Sequence, residues 1–214
     1  MIAADKLSLA LQGRTILDGV SFRVGRGEAV ALVGPNGSGK TSVLRCLLGL
    51  VPFEGRASIG GHDAARAPIA ARELVGYLPQ RPAFGDVTAF EALRFVARVR
   101  RLPECFVWRE LERVGLERHA QARARTFSGG MLQRLSLAAA LLADPPVLLL
   151  DEPTASLDRA GQREFLELAA RLREDGRTLL LASHRAEEIE RLADRVIELS
   201  EGQVMFPVGL RAAS

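Results

Sequence analysis

The segment that most constrains this chain is EAVALVGPNGSGKTSVLRCLLGL, residues 28–50. An apolar run of strand character enters a glycine-rich loop, and an amphipathic helix leaves it. The loop, GPNGSGKT at 34–41, fits the pattern Gly, four residues, Gly-Lys-Ser/Thr. Gly34, Gly37 and Gly39 let the backbone curl so that its N–H groups face an anion, and Pro35, Asn36 and Ser38 complete the turn. Lys40 is positioned to reach β- and γ-phosphates, and the Thr41 hydroxyl, followed by Ser42, to bind Mg²⁺. The chain holds only two lysines, Lys6 and Lys40, against 29 basic residues in all. A compact ammonium inside the loop is therefore a specific choice. Such a loop, between a buried strand and a helix, belongs to an open α/β sheet.

The rest of the chain follows the same logic. Period-two runs open it (LSLAL, VSFRV), and short strands ASIGG and LVGYLP follow the first helix. Thr88 and Glu91 form a capping-box pattern before the helical stretch FEALRFVARVRR. From there to about residue 127 the pattern is helical and Arg-rich. Strands VLLL, TLLLAS and DRVIEL then alternate with helices, one of them near 160–174. Alternation of this kind predicts a mainly parallel sheet with helices on both faces, an N-terminal antiparallel β part and a small helical lobe. A length of 214 residues fits a single domain, 1–214, with the lobe inserted at roughly 81–140.

Composition excludes several classes. Net charge is +3 and the arginines lie beside acidic residues without interleaved aromatics, so no nucleic-acid partner is expected. No run approaches the ~20 apolar residues of a membrane span. The opening MIAADKLSLALQGR lacks the shape of a secretion signal. A cytoplasmic protein is expected, with Cys46 and Cys105 as reduced apolar fillers.

Two further constellations carry chemistry. VLLLDEP places Asp151 and Glu152 at the C-terminal end of a buried strand, where open α/β sheets collect ligands. Asp151 suits an Mg²⁺ contact, and Glu152 can orient and deprotonate a water. His184, after TLLLAS, falls at the same edge and suits a γ-phosphate role. TFSGGMLQR at 126–134 makes a second phosphate-shaped feature: Ser128 can cap the helix that follows, while Gly129 and Gly130 leave room for an anion at its N-terminus.

Together these motifs resemble the ATP-binding subunit of an ABC transporter, over nearly the whole chain. GPNGSGKT resembles the Walker A loop and VLLLDEP the Walker B strand. Gln80 in GYLPQ resembles the Q-loop glutamine, which touches Mg²⁺ and the attacking water; Ser156, Leu157 and Asp158 resemble the D-loop, His184 the switch histidine, and SGGMLQR the signature. The resemblance implies ATP and Mg²⁺ as ligands, ATP hydrolysis that drives transport, and a separate membrane-spanning partner on the cytoplasmic face. It also implies a second ATP-binding subunit, expected to be another copy, paired head to tail so that each signature covers the nucleotide held by the other's loop. The SGGMxQR form and compact lobe resemble exporter-type members. Two positions depart from the family. Met131 stands where glutamine is usual, and Leu11 where an aromatic commonly stacks on adenine, so base recognition is expected to be loose. Of three phenylalanines near the lobe, Phe90 and Phe95 are expected in its core, and Phe84, in a Pro- and Gly-rich connection, at the partner's groove. A soluble ABC-type ATPase of translation or DNA repair is the alternative; such proteins carry two cassettes or a long coiled-coil insertion, and neither is visible here.

Overall fold

The computed structural model describes residues 1–205. Strands β1 (Ile2–Leu11) and β2 (Arg14–Val24) form a hairpin. Its two-residue turn has Gln12 at φ 50° and Gly13 at φ 76°. Both central residues are left-handed, as the primed turns that match strand twist require. Next come β3 (Ala29–Val33), α1 (Lys40–Leu47), β4 (Glu54–Ile59), β5 (His62–Asp63), α2 (Pro68–Glu73) and β6 (Val75–Leu78). The helical segment holds α3 (Ala89–Val99), α4 (Cys105–Arg113) and α5 (Gly129–Leu141). The chain then alternates through β7 (Val147–Asp151), α6 (Arg159–Glu174), β8 (Thr178–Ala182), α7 (Ala186–Leu192), β9 (Arg195–Ser200) and β10 (Gln203–Val204).

Two sheets result. A four-stranded antiparallel one has the order β2-β1-β4-β5, and a six-stranded one the order β10-β9-β3-β8-β7-β6, parallel except at the β9–β10 hairpin. The expected mainly parallel sheet with an antiparallel N-terminal part is what forms; α2, with no strong apolar period, is an addition to the sequence reading. Strands β7 and β8 are buried at every residue, which is why they read as unbroken apolar runs. Their side chains alternate between two cores. Leu148, Leu150, Leu179 and Leu181 face the layer containing α3, α4, α5 and α6. Leu149 and Leu180 face α1 and the antiparallel sheet.

Local chemistry sets the helix ends. The capping box forms as read: Thr88 Oγ1 accepts from Glu91 N at 3.1 Å, and Glu91 Oε2 accepts from Thr88 N at 2.8 Å. Helix α3 buries Phe90, Leu93 and Ala97, a three- and four-residue spacing that defines its inner face. Phe95 lies off that stripe and is 69% exposed, which corrects its expected core placement. Arg100, just past α3, donates to the carbonyls of Arg72, Glu73 and Val75 at 2.9–3.1 Å. It thereby satisfies the end of α2 and pins the helical segment to the edge strand.

Helix α5 crosses β6 closely at Gly76. A β-carbon there would sit 2.3 Å from the Ala140 carbonyl oxygen and 2.9 Å from Leu148 Cδ2. A helix carbonyl cannot yield cheaply. Gly76→Ala is therefore expected to destabilise by about 1–3 kcal/mol, lowering the thermal midpoint at roughly 2–4 °C per kcal/mol. Thermal unfolding of the nucleotide-free chain measures it.

Candidate functional site

The strand ends converge because the register is aligned. Leu32 on β3 pairs with Ala182 on β8, and Ala182 pairs with Asp151 on β7, so three buried strands end at one level. Just beyond that level lies a cavity of about 760 Å³. Residues 35–42 line it together with Gln80 and Glu152. The sequence-read residues Pro35, Asn36, Gly37, Ser38, Gly39, Lys40, Thr41, Ser42, Gln80 and Glu152 are thus brought together.

Within the loop, Gly34, Gly37 and Gly39 have φ of 148°, 83° and 106°, all in the region that favours glycine. At Gly34 a β-carbon would lie 2.1 Å from the Leu199 carbonyl oxygen. Lys40 is buried, and its ammonium donates to the Gly34 carbonyl at 2.7 Å and the Pro35 carbonyl at 3.1 Å, spanning the loop. The Ser38 hydroxyl is buried without a protein partner. An orphaned donor inside a curled, glycine-rich backbone at a helix N-terminus is a polar cradle that phosphate oxygens fit.

The carboxylates meet this loop directly. Thr41 Oγ1 donates to Asp151 Oδ1 at 2.9 Å, and the Tyr77 hydroxyl donates to Asp151 Oδ2 at 3.4 Å. Burial pushes the Asp151 carboxyl above its ordinary range; the Thr41 hydrogen bond opposes the shift and the Glu152 charge adds to it. A cation at Thr41 and Asp151 would relieve that strain. Mg²⁺ suits the pair, since it takes few protein ligands and completes its shell with water and phosphate.

Glu152 follows with its backbone at φ 48°. A left-handed, non-glycine residue costs about 1–3 kcal/mol and persists only where its surroundings fix it. Its N–H donates to the Ala182 carbonyl at 2.9 Å, and its own carbonyl accepts from Ala155 N at 3.1 Å. That twist aims the side chain at the cavity. Glu152 Oε1 lies 2.8 Å from His184 Nδ1, while Oε2 is buried without a partner. Nδ1–H donating to the carboxylate leaves Nε2 facing outward on a half-exposed ring.

Ser128, Gly129 and Gly130 line none of this cavity. Ser128 caps α5 as read, its Oγ accepting from Met131 N at 3.2 Å. Gly129 packs on the next loop, where its β-carbon would lie 3.4 Å from Ser156 Cβ. One chain therefore holds two anion-shaped features that do not face a common cavity. Asp158, at the end of that loop, caps α6 by accepting from Gly161 N at 2.8 Å.

Several residues escaped sequence reading. Arg14, Thr15 and Ile16 line the far end of the cavity, with Glu201 and Gly202 beside them. Leu11 is 41% exposed and is not part of the lining. Gln133 and Glu188 are both buried against the loop after Glu152. Gln133 lies inside the stretch SGGMLQR, where its neighbours Ser128, Gly129 and Gly130 drew the reading; Glu188 has no local signal, because acidic residues are common in the first turn of any helix.

No aromatic side chain lines the cavity among the described residues. A base stacked on an aromatic gains about 1–3 kcal/mol, and without that term phosphate contacts, common to ATP and GTP, dominate. GTP is expected to be hydrolysed within about one order of magnitude of ATP. Parallel kinetics and titrations with both nucleotides measure this, and a strong wild-type preference for ATP would contradict it.

Comparison with known proteins agrees with this geometry. The family model described as ABC transporter matches residues 17–155. The linearmycin resistance ATP-binding protein LnrL of Bacillus subtilis is 35% identical over 99% of this chain and 70% of its own length. The Nod factor export ATP-binding protein I of Paraburkholderia xenovorans is 39% identical over 94% of this chain and 68% of its own. An ATP-binding cassette solved as a dimer, in a post-hydrolysis state bound to ADP and Pi, superposes with a TM-score of 0.88 at 26% identity and full coverage of both chains. With a phosphate loop, a strand-end carboxylate pair and a capped glycine helix in this arrangement, the chain belongs to the ABC transporter family, as one of its ATP-hydrolysing ATP-binding subunits.

Proposed function

We propose that this chain powers export through a separate membrane-spanning partner, hydrolysing Mg²⁺-bound ATP between two head-to-tail copies of itself. The observation that carries the catalytic assignment is the contact of His184 with Glu152, a residue that lines the phosphate cavity. Residues 34–42 hold the phosphates through backbone N–H groups, and Lys40 exchanges the carbonyls of Gly34 and Pro35 for β- and γ-oxygens. Thr41, Asp151 and Gln80 would hold Mg²⁺, which when bound would draw charge from the phosphates. Glu152 orients a water and takes its proton as the water oxygen bonds to the γ-phosphorus and the bond to the bridging oxygen breaks, leaving ADP and phosphate. His184, its Nδ1–H held by Glu152, donates from Nε2 to the γ-phosphate when both ring nitrogens carry a proton. Ser128, Gly129 and Gly130 complete the other copy's site, since they take no part in lining their own cavity. The post-hydrolysis dimer of the cassette that this chain resembles supports the pairing, and the relatives named for drug resistance and Nod factor export support the direction.

No helix of the described residues is long and apolar enough to cross a membrane, so movement of a substrate needs a partner. A groove of about 360 Å³ suits it, on the cytoplasmic face of the membrane. Leu50, Tyr77, Pro82, Phe84, Val96 and Arg100 are among the residues that line it. Phe84 is half-buried there, four residues after Gln80 in the same connection. One short segment thus touches both the nucleotide cavity and the groove.

Glu152→Gln is expected to keep ATP binding, lower turnover by about 10²–10⁴ and accumulate an ATP-bound dimer, read by single-turnover kinetics and size-exclusion chromatography. Lys40→Ala loses affinity instead, because it deletes a ground-state contact. Wild-type turnover in Glu152→Gln would remove that residue from the mechanism.

Phe84→Ala is expected to stay folded and to bind ATP while its recovery in the membrane fraction drops several-fold, about the loss of one interface hot spot. Membrane association unchanged from wild type would remove Phe84 from the groove's function.

A further inference from the structure

The loop from Glu152 to Leu157 is held by two buried polar side chains that arrive from opposite sides. From α5, Gln133, 1% exposed, donates through Nε2 to the Pro153 carbonyl at 2.9 Å. From α7, Glu188, 2% exposed, accepts a hydrogen bond from the Thr154 hydroxyl. Pro153 and Thr154 are the two residues directly after Glu152, whose left-handed backbone must be fixed from outside. Glu188 stands on the helix that begins two residues after His184. It thus ties the loop carrying the carboxylate to the segment that carries the histidine.

Ordinary core packing explains neither residue. A buried amide with one orphaned oxygen and a buried carboxyl with one orphaned oxygen are costly unless their single contacts matter. Burial pushes the Glu188 carboxyl up, partly opposed by hydrogen bonds from Ser183 and Thr154. The nearest cation, Arg185 Nε, is 4.0 Å away. What Glu188 supplies in place is an acceptor oxygen at a fixed point.

We infer that Gln133 and Glu188 are positioning residues of the ATPase reaction, clamping Pro153 and Thr154 so that Glu152 stays in its left-handed conformation in contact with His184. The clamp touches neither nucleotide nor water. Gln133 also stands two residues beyond Met131 on the helix that Ser128 caps, so the helix offered to the other copy's nucleotide bears directly on this copy's Glu152 loop.

The clamp acts on where Glu152 sits and leaves the phosphate loop untouched, so its loss reads in kcat and not in KM. The test uses the full chain, measuring kcat, KM for ATP and thermal midpoint for Glu188→Ala, Glu188→Gln, Gln133→Leu and Thr154→Val. Glu188→Ala, Gln133→Leu and Thr154→Val are each expected to lower kcat about tenfold or more, a barrier increase of about 1.4 kcal/mol, with KM within about threefold of wild type. Glu188→Gln keeps an acceptor oxygen for Thr154 and recovers most of the loss, which a general packing defect would not allow. Combining Thr154→Val with Glu188→Ala costs no more than the worse single change, since both remove one contact. Unchanged kcat in folded Glu188→Ala, a KM that rises in step with the kcat loss, or Glu188→Gln as impaired as Glu188→Ala overturns the clamp. If Glu188→Ala does not fold, the near-isosteric Thr154→Val and Glu188→Gln decide alone. The inference rests on Glu152 handling the attacking water, and Glu152→Gln in the same assay separates the two. Full turnover there removes the base and the clamp with it; an inert Glu152→Gln beside an unaffected Glu188→Ala removes only the clamp.

Discussion

The hydrogen bond from Thr41 to Asp151, 2.9 Å long and spanning 110 positions of sequence, is the contact on which the site depends. It closes only because β3, β8 and β7 end at one level, Leu32 beside Ala182 beside Asp151. A slip of one residue in either pairing would turn every side chain of a strand to its other face. In strands buried on both faces the two cores resist that equally. Leucines at 148 and 150 interlock with the helical layer, and those at 149 and 180 with α1 and the antiparallel sheet. Packing of leucines therefore sets the height at which a hydroxyl meets a carboxylate.

The edge that gains this chemistry is poor in stability. Within a few residues it holds a carboxylate raised by burial at Asp151, an orphaned hydroxyl at Ser38, an orphaned carboxylate oxygen at Glu152 and a left-handed backbone at the same residue. Each is unfavourable in isolation. The sheet supports them because their neighbours on β7 and β8 are buried leucines packed into both cores. Strain at the strand ends and dense packing behind them belong to one design, in which rigidity is supplied by residues that take no part in the reaction.

The positions of the two anion-shaped features also have a mechanical reading. The loop of residues 35–42 lines the cavity, whereas the capped start of α5 takes no part in the lining and packs on Ser156. In the proposed dimer each copy contributes one of each kind. Gln80 and Phe84 lie in one Pro-rich connection that borders both the cavity and the groove. The same connection is anchored to the helical-layer core through Phe84 and Val87, while Arg100 fixes the helical segment at the far end of α3.

What could be read from the chain alone was whatever its local chemistry encodes. The phosphate loop, the strand-end carboxylates, the Thr88–Glu91 box and the Ser128 cap are each complete within about eight residues, and each forms as read. The sheet classes followed from apolar runs and their spacing for the same reason. Phe95 marks the limit, since an aromatic in a helix says nothing of which face finds a partner, and here Phe90, Leu93 and Ala97 took the inner one. Leu11, aligned to a base-stacking position, stands outside a cavity whose far end Arg14, Thr15 and Ile16 line, because the hairpin turn places the start of β2 there. Gln133 and Glu188 are ordinary polar residues in sequence and acquire meaning only where α5 and α7 meet the loop after Glu152. Sequence determined which groups could do chemistry; tertiary structure decided which of them share an edge, because burial and register are properties of strands brought together from distant parts of the chain.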